Sequence, residues 1–500
     1  MSKWINITSI VVFAFFLRCL FMVGFALGDD HAYGQYAHMI TQGMYPPLCD
    51  LCVFAFRPIL LFSVALSLKV LGWSEFNFVL PILLSSLISL YLVYGLGKVL
   101  FDQQTGLLAA FCLAIFPLNL VNASTMSNDL MLSMLVALSM LLFLRGFMDR
   151  GLTTILSFIA AGIILGSATG VKINALPLVG LFILIAFYYG WQERKFRKEV
   201  VFFLLSWLTV QLVFATVYYM ETGDCLAHIQ VEFNFNKKYN PSNFVDSPVH
   251  LKNVLLYYPT LMLALQTDGH PGYTFYPYGF FYPVFFLGTI YFVCKREKRL
   301  VLPLLWFTYT FLIMEFFPLN ISPYYQPIHR LIRFLSLVSI PALLIIAYFL
   351  RRLYASGVSG KLIATFLITG LLITSLHQAY RKSSFYRDCM SDAREVYTVI
   401  KHMPYEQVIT DNAMKETLLF YNHYTASDTF KSFDYDNPSF LPGSLVILGG
   451  ARRPELSPLY ATQFIGSSVP QTNWLKVYEV TGRKRIWRKE NLVIYRILGE

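Results

Sequence analysis

About eleven apolar runs, most of them near the length that crosses a lipid bilayer, constrain this chain more than any other feature. They lie at residues 5–27, 76–100, 106–121, 130–144, 152–169, 173–189, 200–220, 279–294, 300–317, 331–350 and 362–376. A helix rises about 1.5 Å per residue, so about 20 residues span a hydrocarbon core of about 30 Å. Of the 500 residues, 56% are hydrophobic and only 14% are charged, against about 25% charged in soluble domains. One soluble core cannot hold that much apolar surface; a bilayer can. The run 58–71 is also apolar, but it is short and stops at Gly72, so it is expected to lie along the interface or half-buried. The basic-then-apolar start of the chain has too long an apolar run for a cleaved signal and no small-residue cleavage site after it, so it reads as an uncleaved first span.

Charge fixes the sides. With the N-terminus inside, the connections 145–151, 190–199, 295–299 and 351–361 collect the basic clusters, whereas the short outer connections 122–129 and 170–172 hold only Lys172 between them. That asymmetry is what the positive-inside rule requires, and counting 58–71 as a span would reverse it for every later loop. The net charge of +11 belongs to these loops, so nucleic acid is not an expected partner. The chain is expected to be a multi-pass protein of a plasma or inner membrane, with residues 1–380 as the transmembrane domain. Residues 381–500 read as an extracytoplasmic α/β domain, with a helical pattern at 392–402 and β-rich runs at 407–410, 444–448, 475–480 and 491–497. Among the seven cysteines, Cys49 and Cys52 form a lone CxxC in the first outer loop. A local disulfide or two free thiols fits them better than zinc, because no second ligand pair has zinc-finger spacing.

Carboxylates and cations gather at the outer ends of the spans. Asp29 and Asp30 follow the first span, and Asp129 opens the fourth. Lys172 interrupts the apolar stretch between the fifth and sixth, and His329, Arg330 and Arg333 open the tenth. Ionisable groups at the membrane cost several kcal/mol unless paired, so they are functional candidates. A carboxylate can accept a proton or hold a divalent ion, and Arg and Lys can grip a phosphate. A hydroxyl attacking a sugar carried on a phosphate needs both functions. Structural alternatives stand beside each reading. Asp129 could cap a helix, Lys172 could snorkel, and Arg330 and Arg333 could be interfacial anchors. The aromatic residues Tyr273, Phe275, Tyr276 and Tyr278 fit an interfacial belt or a sugar platform.

In their order, these motifs resemble the GT-C membrane glycosyltransferases that use polyprenyl-phosphate sugars, a group that includes protein O-mannosyltransferases and the aminoarabinose transferases of lipid A. The resemblance covers about residues 29–350. Gly28-Asp29-Asp30-His31-Ala32-Tyr33 resembles the acidic pair and Tyr of the first outer loop, and Arg57-Pro58-Ile59-Leu60 resembles the Pro-Pro-Leu element. Gly106 to Ala110 with Pro117, then Asp129-Leu130, is similar to the third span and second acidic motif. Gly166 to Lys172 is similar to a Gly-rich stretch ending in Lys, and Tyr273 to Gly279 to the aromatic stretch before a later span. His329-Arg330-Leu331-Ile332-Arg333-Phe334 resembles the Arg-Tyr element that meets the lipid phosphate. Arg57 stands where the family has its first Pro, Asp30 where Glu is commoner, and Phe334 where Tyr is usual.

The resemblance implies a polytopic α-helical GT-C-like fold with interfacial helices in the first outer loop and a small C-terminal α/β soluble domain. It implies an inverting glycosyltransferase working at the outer face. The donor would be an undecaprenyl or dolichyl-type phosphate sugar, and the acceptor a glycan, lipid or protein. Asp29, Asp30 and Asp129 are the catalytic candidates, and spacing to Tyr33 favours Asp29 as base. Lys172 with Arg330 or Arg333 would hold the donor phosphate, and Tyr33, Arg57, Tyr276 and His329 would contact substrate. No cofactor is fixed by the sequence, and Asp29 and Asp129 leave a divalent metal ion open. The alternative, a transporter or lipid flippase, predicts midplane charges and an inverted repeat, and the sequence displays neither.

Overall fold

The computed structural model describes residues 6–26, 28–148, 151–194, 197–239, 256–263, 265, 276, 278–320, 326–327, 331–425, 427–432, 441–448, 474–480 and 492–498. Every apolar run named above carries a helix. Among the described residues, seven helices are long and apolar enough to cross a membrane: Glu75–Leu100, Asn128–Met148, Ile173–Glu193, Val200–Thr222, Lys298–Phe316, Ile332–Ala355 and Val358–Ile400. The other expected spans form the shorter helices Ile7–Leu20, Gln103–Ile115, Leu152–Ala168 and Phe281–Cys294, and Pro58–Leu71 is a further short apolar helix.

The first helices set the frame for the site: α1 (Ile7–Leu20), α2 (Asp29–Thr41), α3 (Pro58–Leu71), α4 (Glu75–Leu100) and α5 (Gln103–Ile115). The run expected as one helix over 106–121 is broken. Phe116 is extended (φ −61°, ψ 121°) and α6 (Pro117–Asn122) starts afresh, because a residue before proline is forced out of the helical region. Helices α4 and α5 touch backbone to backbone: a Cβ on Gly97 would lie 2.5 Å from the Gly106 Cα, so both positions need glycine. Arg18 of α1 is fully buried and ties three helices together. Its Nε donates to Ser86 Oγ (2.8 Å) and its Nη2 to Asn119 Oδ1 (2.6 Å).

Helix α7 (Asn128–Met148) packs against α8 (Leu152–Ala168). A 3-10 turn (Ile173–Leu178) then leads into α9 (Val179–Glu193), followed by α10 (Val200–Thr222) and α11 (Ala227–Tyr239). After α12 (Tyr257–Met262), α13 (Phe281–Cys294) and α14 (Val301–Phe316), a further 3-10 turn (Ile332–Leu335) enters α15 (Ser336–Ala355). Between these last helices, β1 (Pro318–Asn320) and β2 (Gln326–Pro327) form a short antiparallel pair.

The soluble part grows out of one 43-residue helix, α16 (Val358–Ile400). At about 1.5 Å per residue it is about twice as long as the hydrocarbon core is thick. Neither Gly nor Pro occurs between Gly370 and Pro404, so nothing stops the helix at residue 380, where the sequence pattern suggests a boundary. Along it, Met390 packs in the core of the helical bundle, and Ala393 and Val396 in the sheet core. Among the described residues, five strands form that sheet. They are β3 (Val408–Thr410), β4 (Phe430–Ser432), β5 (Leu445–Leu448), β6 (Trp474–Val480) and β7 (Leu492–Ile497), in the order β4-β3-β5-β7-β6. The first two pairings are parallel and the last two antiparallel. Helix α17 (Asn412–Tyr421) packs on this sheet and against α2.

Candidate active site

Of the charged residues singled out by sequence, Asp29, Asp129, Lys172 and Arg333 converge at one end of the helical bundle. Gly28 (φ 91°) takes a conformation suited to glycine, and the turn places Asp29 and Asp30 in the first turn of α2, where the helix dipole favours anions. Arg333 sits in the 3-10 turn before α15. Its Nη2 is hydrogen-bonded to Asp29 Oδ2, and its Nε lies 3.3 Å from Asp129 Oδ2. Lys172, between α8 and the first 3-10 turn, donates to Asp129 Oδ1 at 2.7 Å and sits 3.4 Å from the centre of the Phe334 ring. One guanidinium and one ammonium thus link two carboxylates from four chain segments.

Helix α3, at 14 residues, is shorter than the about 20 residues that a crossing takes.

The site is graded in exposure. Asp129 and Lys172 are 1% and 3% exposed, whereas Asp29 and Arg333 are 31% and 30% exposed. Burial works to raise the Asp29 carboxyl. Arg333 beside it, with Arg57 and Lys172, outweighs that effect and holds it below the usual carboxylate range. Asp30 is buried and turns inward, its Oδ2 accepting the Ala26 N–H at 2.8 Å. Burial pushes its carboxyl up to about 8, against a smaller lowering by that hydrogen bond. The adjacent carboxyls therefore differ: that of Asp29 is partly exposed and held low, and that of Asp30 is buried and held high.

Tyr33 and Arg57 form a second layer. Arg57 is hydrogen-bonded to the Tyr33 hydroxyl, pairs with Glu232 of α11 at 3.6 Å and stacks on Phe54 at 5.0 Å. Arg333 is held by its backbone. Tyr258 and Tyr278 hydroxyls donate to the carbonyls of Leu331 (2.9 Å) and Ile332 (2.5 Å), and Ser336 Oγ donates to Arg333 O (2.7 Å). Tyr278, expected in an interfacial belt, is instead fully buried, because its hydroxyl has this carbonyl to satisfy. Tyr276 is tied through its backbone N–H to Gln378 (3.2 Å). His329, Arg330, Tyr273 and Phe275 lie outside the described residues. Glu232, Tyr258 and Phe334 were not picked out as site residues by sequence. Phe334 could have been, since it directly follows Arg333; the other two are brought in only by tertiary packing.

An apolar cavity of about 200 Å³ is lined by Ile173, the residue after Lys172, with Pro177, Glu232, Phe233, Met314 and Phe317. A metal fits this donor set poorly. Among the described residues no three His, Cys, Asp or Glu side chains come together, and Arg333 faces both Asp29 and Asp129. A divalent ion takes about six oxygen ligands and would be repelled by the adjacent cations. The Cys49–Cys52 pair is a disulfide.

Residues 57–219 match a protein family described as dolichyl-phosphate-mannose-protein mannosyltransferase. No curated protein matches the chain in sequence. Among solved structures, ArnT from Cupriavidus metallidurans bound to undecaprenyl phosphate is 13% identical with a TM-score of 0.59, over 99% of this chain and 98% of that one. The Archaeoglobus fulgidus oligosaccharyltransferase tethered with an acceptor peptide is 12% identical with a TM-score of 0.53, over 84% of this chain and 63% of that one. Archaeal AglB from the same organism, in complex with an inhibitory peptide and a dolichol-phosphate, is 11% identical with a TM-score of 0.51, over 83% and 63%. This chain spans less than two thirds of the archaeal protein's length. The backbone agreement over nearly all of both chains in the first comparison, together with the order of motifs, gives this chain the fold of the GT-C membrane glycosyltransferases.

Proposed function

We propose that this chain transfers a sugar from a polyprenyl-phosphate donor to an acceptor hydroxyl at the outer face of the membrane, with inversion at the anomeric carbon. The observation that carries the reading is the junction of a partly exposed carboxylate, Asp29, with two cations, Arg333 and Lys172. Asp29 takes the proton from the attacking hydroxyl as the new glycosidic bond forms. The bond between anomeric carbon and phosphate oxygen breaks, and Arg333 and Lys172 stabilise the charge that builds on the departing lipid phosphate. A single displacement with one base inverts the centre, because the hydroxyl enters opposite the phosphate. Asp129 holds Lys172 and aims Arg333, and Tyr33 and Arg57 shape the acceptor side.

The apolar cavity that begins at Ile173, next to Lys172 in the chain, suits the first isoprene units of the donor, whose phosphate would then reach the two cations. The matches to a dolichyl-phosphate-mannose family and to a structure holding undecaprenyl phosphate support that donor class. The scarcity of basic residues in the short loops at this end supports the outer face. No step requires a metal. Mass spectrometry of lipid co-purified with the protein tests the reading. A polyprenyl phosphate or its sugar conjugate is expected with wild type and depleted in Arg333→Met. Polyprenyl species absent from wild-type protein purified in mild detergent would overturn it.

A further inference from the structure

Asp29 and Asp30 lie between two stretches that the C-terminal domain grips from residues almost 400 positions away. Before them, Arg394 of α16 makes two bonds to the Glu75 carboxylate, Nε to Oε1 (2.9 Å) and Nη2 to Oε2 (2.7 Å), and a third from Nη2 to the Val23 carbonyl (2.9 Å). Tyr421 donates to the same carboxylate (2.8 Å), and Glu75 Oε2 in turn accepts the Phe25 N–H (3.0 Å). The Phe25 ring stacks on Phe420 of α17 at 4.0 Å. After them, the Tyr424 hydroxyl donates to the His31 carbonyl (3.0 Å), and it packs so closely on α2 that a Cβ at Gly34 would come within 2.7 Å of it. The turn that delivers Tyr424 is strained: His423 and Tyr424 have φ of 55° and 53°, a region that side chains other than glycine disfavour. Consecutive non-glycine residues there mark a turn over-determined by its contacts.

The geometry points to Arg394 and Tyr424 as positioning residues of the transfer reaction: the docked C-terminal domain fixes the segment that carries Asp29, so that removing its grip lowers turnover without touching substrate. The inference rests on the reading of Asp29 as the base. Asp29 reaches Arg333 only from the first turn of α2, and both flanks of that turn are anchored from the C-terminal side. Loosening either flank moves the carboxylate relative to the hydroxyl it must deprotonate, and misplacement on the order of 1 Å costs up to about a hundredfold in rate.

The test compares full-length wild type, Arg394→Gln and Tyr424→Phe by hydrogen exchange and by turnover. Tyr424→Phe keeps the ring packing and guards against a folding defect in the first variant. Exchange of amides 23–38 should quicken in both, most in Arg394→Gln, as local opening becomes easier. Turnover should fall about tenfold or more in Arg394→Gln with donor KM within about twofold of wild type. Unchanged exchange in both variants, or quickened exchange with wild-type turnover, overturns the inference. If wild type itself transfers no sugar, the functional reading fails, and the exchange data alone decide whether the C-terminal domain holds this segment.

Discussion

Asp129→Asn should be among the most damaging neutralisations in this chain, and the structure sets its size. Asp129 Oδ1 lies 2.7 Å from Lys172 Nζ, with the side chains 1% and 3% exposed. At an effective dielectric of about 20, that separation corresponds to an attraction of about 6 kcal/mol. Most of it offsets the desolvation of the two charges, so the net value of the pair is small. Removing one partner is different, because Lys172 is then left buried without its carboxylate, at a cost of about 3–5 kcal/mol. The Phe334 ring under the ammonium returns about 1–2 kcal/mol. Arg333, whose Nε faces Asp129 at 3.3 Å, loses less because its Nη2 keeps the hydrogen bond to Asp29. The net expectation is about 1–4 kcal/mol, a large share of a typical folding stability of about 5–15 kcal/mol. Thermal unfolding in lipid nanodiscs should show Asp129→Asn and Lys172→Met each lowering the transition by several degrees. The double variant, which removes both charges, should recover at least about half of the sum. Losses that simply add in the double variant would refute the buried pair, as would single variants indistinguishable from wild type.

Three further outcomes follow from the site. Asp30 is held protonated by burial, its carboxyl raised from 3.8 to about 8, so the folded chain keeps a proton that the unfolded chain releases. The stability this group contributes is fully present below about pH 4 and is lost as pH rises to about 8. Asp30→Asn should therefore gain on wild type in melting temperature across that window, and an equal gain at pH 4 and pH 8 would contradict the assignment. Chelation with EDTA should leave turnover unchanged, since Arg333 and Lys172 already answer the carboxylates; a loss restored by added Mg²⁺ or Mn²⁺ would show a bound ion. Removing the Cys49–Cys52 disulfide, which joins residues three apart, should cost at most about 2 kcal/mol by loop entropy. A larger drop in the unfolding transition of the double Ser variant would mean that the bond orders the first loop.

The centre of the site was legible in sequence for a physical reason. Asp29, Asp129, Lys172 and Arg333 stand at the ends of apolar runs, where an unpaired charge is expensive, so their presence implied partners. Sidedness then placed them at one end, and the structure joins them there. Their division of labour was not legible. Asp29 and Asp30 are neighbours with the same side chain, and only the fold turns one toward Arg333 and the other toward the Ala26 N–H. Glu232 and Arg394 have no local signature, because each matters through a partner brought in by tertiary packing. Helix α17 went unseen as a 10-residue segment in a loop-like region, too short for periodicity to stand out. The continuous α16 hid the junction of the two cores, since a helix crosses a polarity change without any backbone signal.

Transfer by Asp29→Asn tests the central claim most directly. Protein reconstituted in vesicles with a polyprenyl-phosphate sugar and a hydroxyl acceptor should release polyprenyl phosphate and form a glycoside of inverted configuration. Asn keeps the size of the side chain and removes its capacity to take the proton, so turnover should fall by about a hundredfold or more. Lipid should still bind, because Arg333 and Lys172 remain. Full transfer by Asp29→Asn would contradict the assignment of Asp29 as the base.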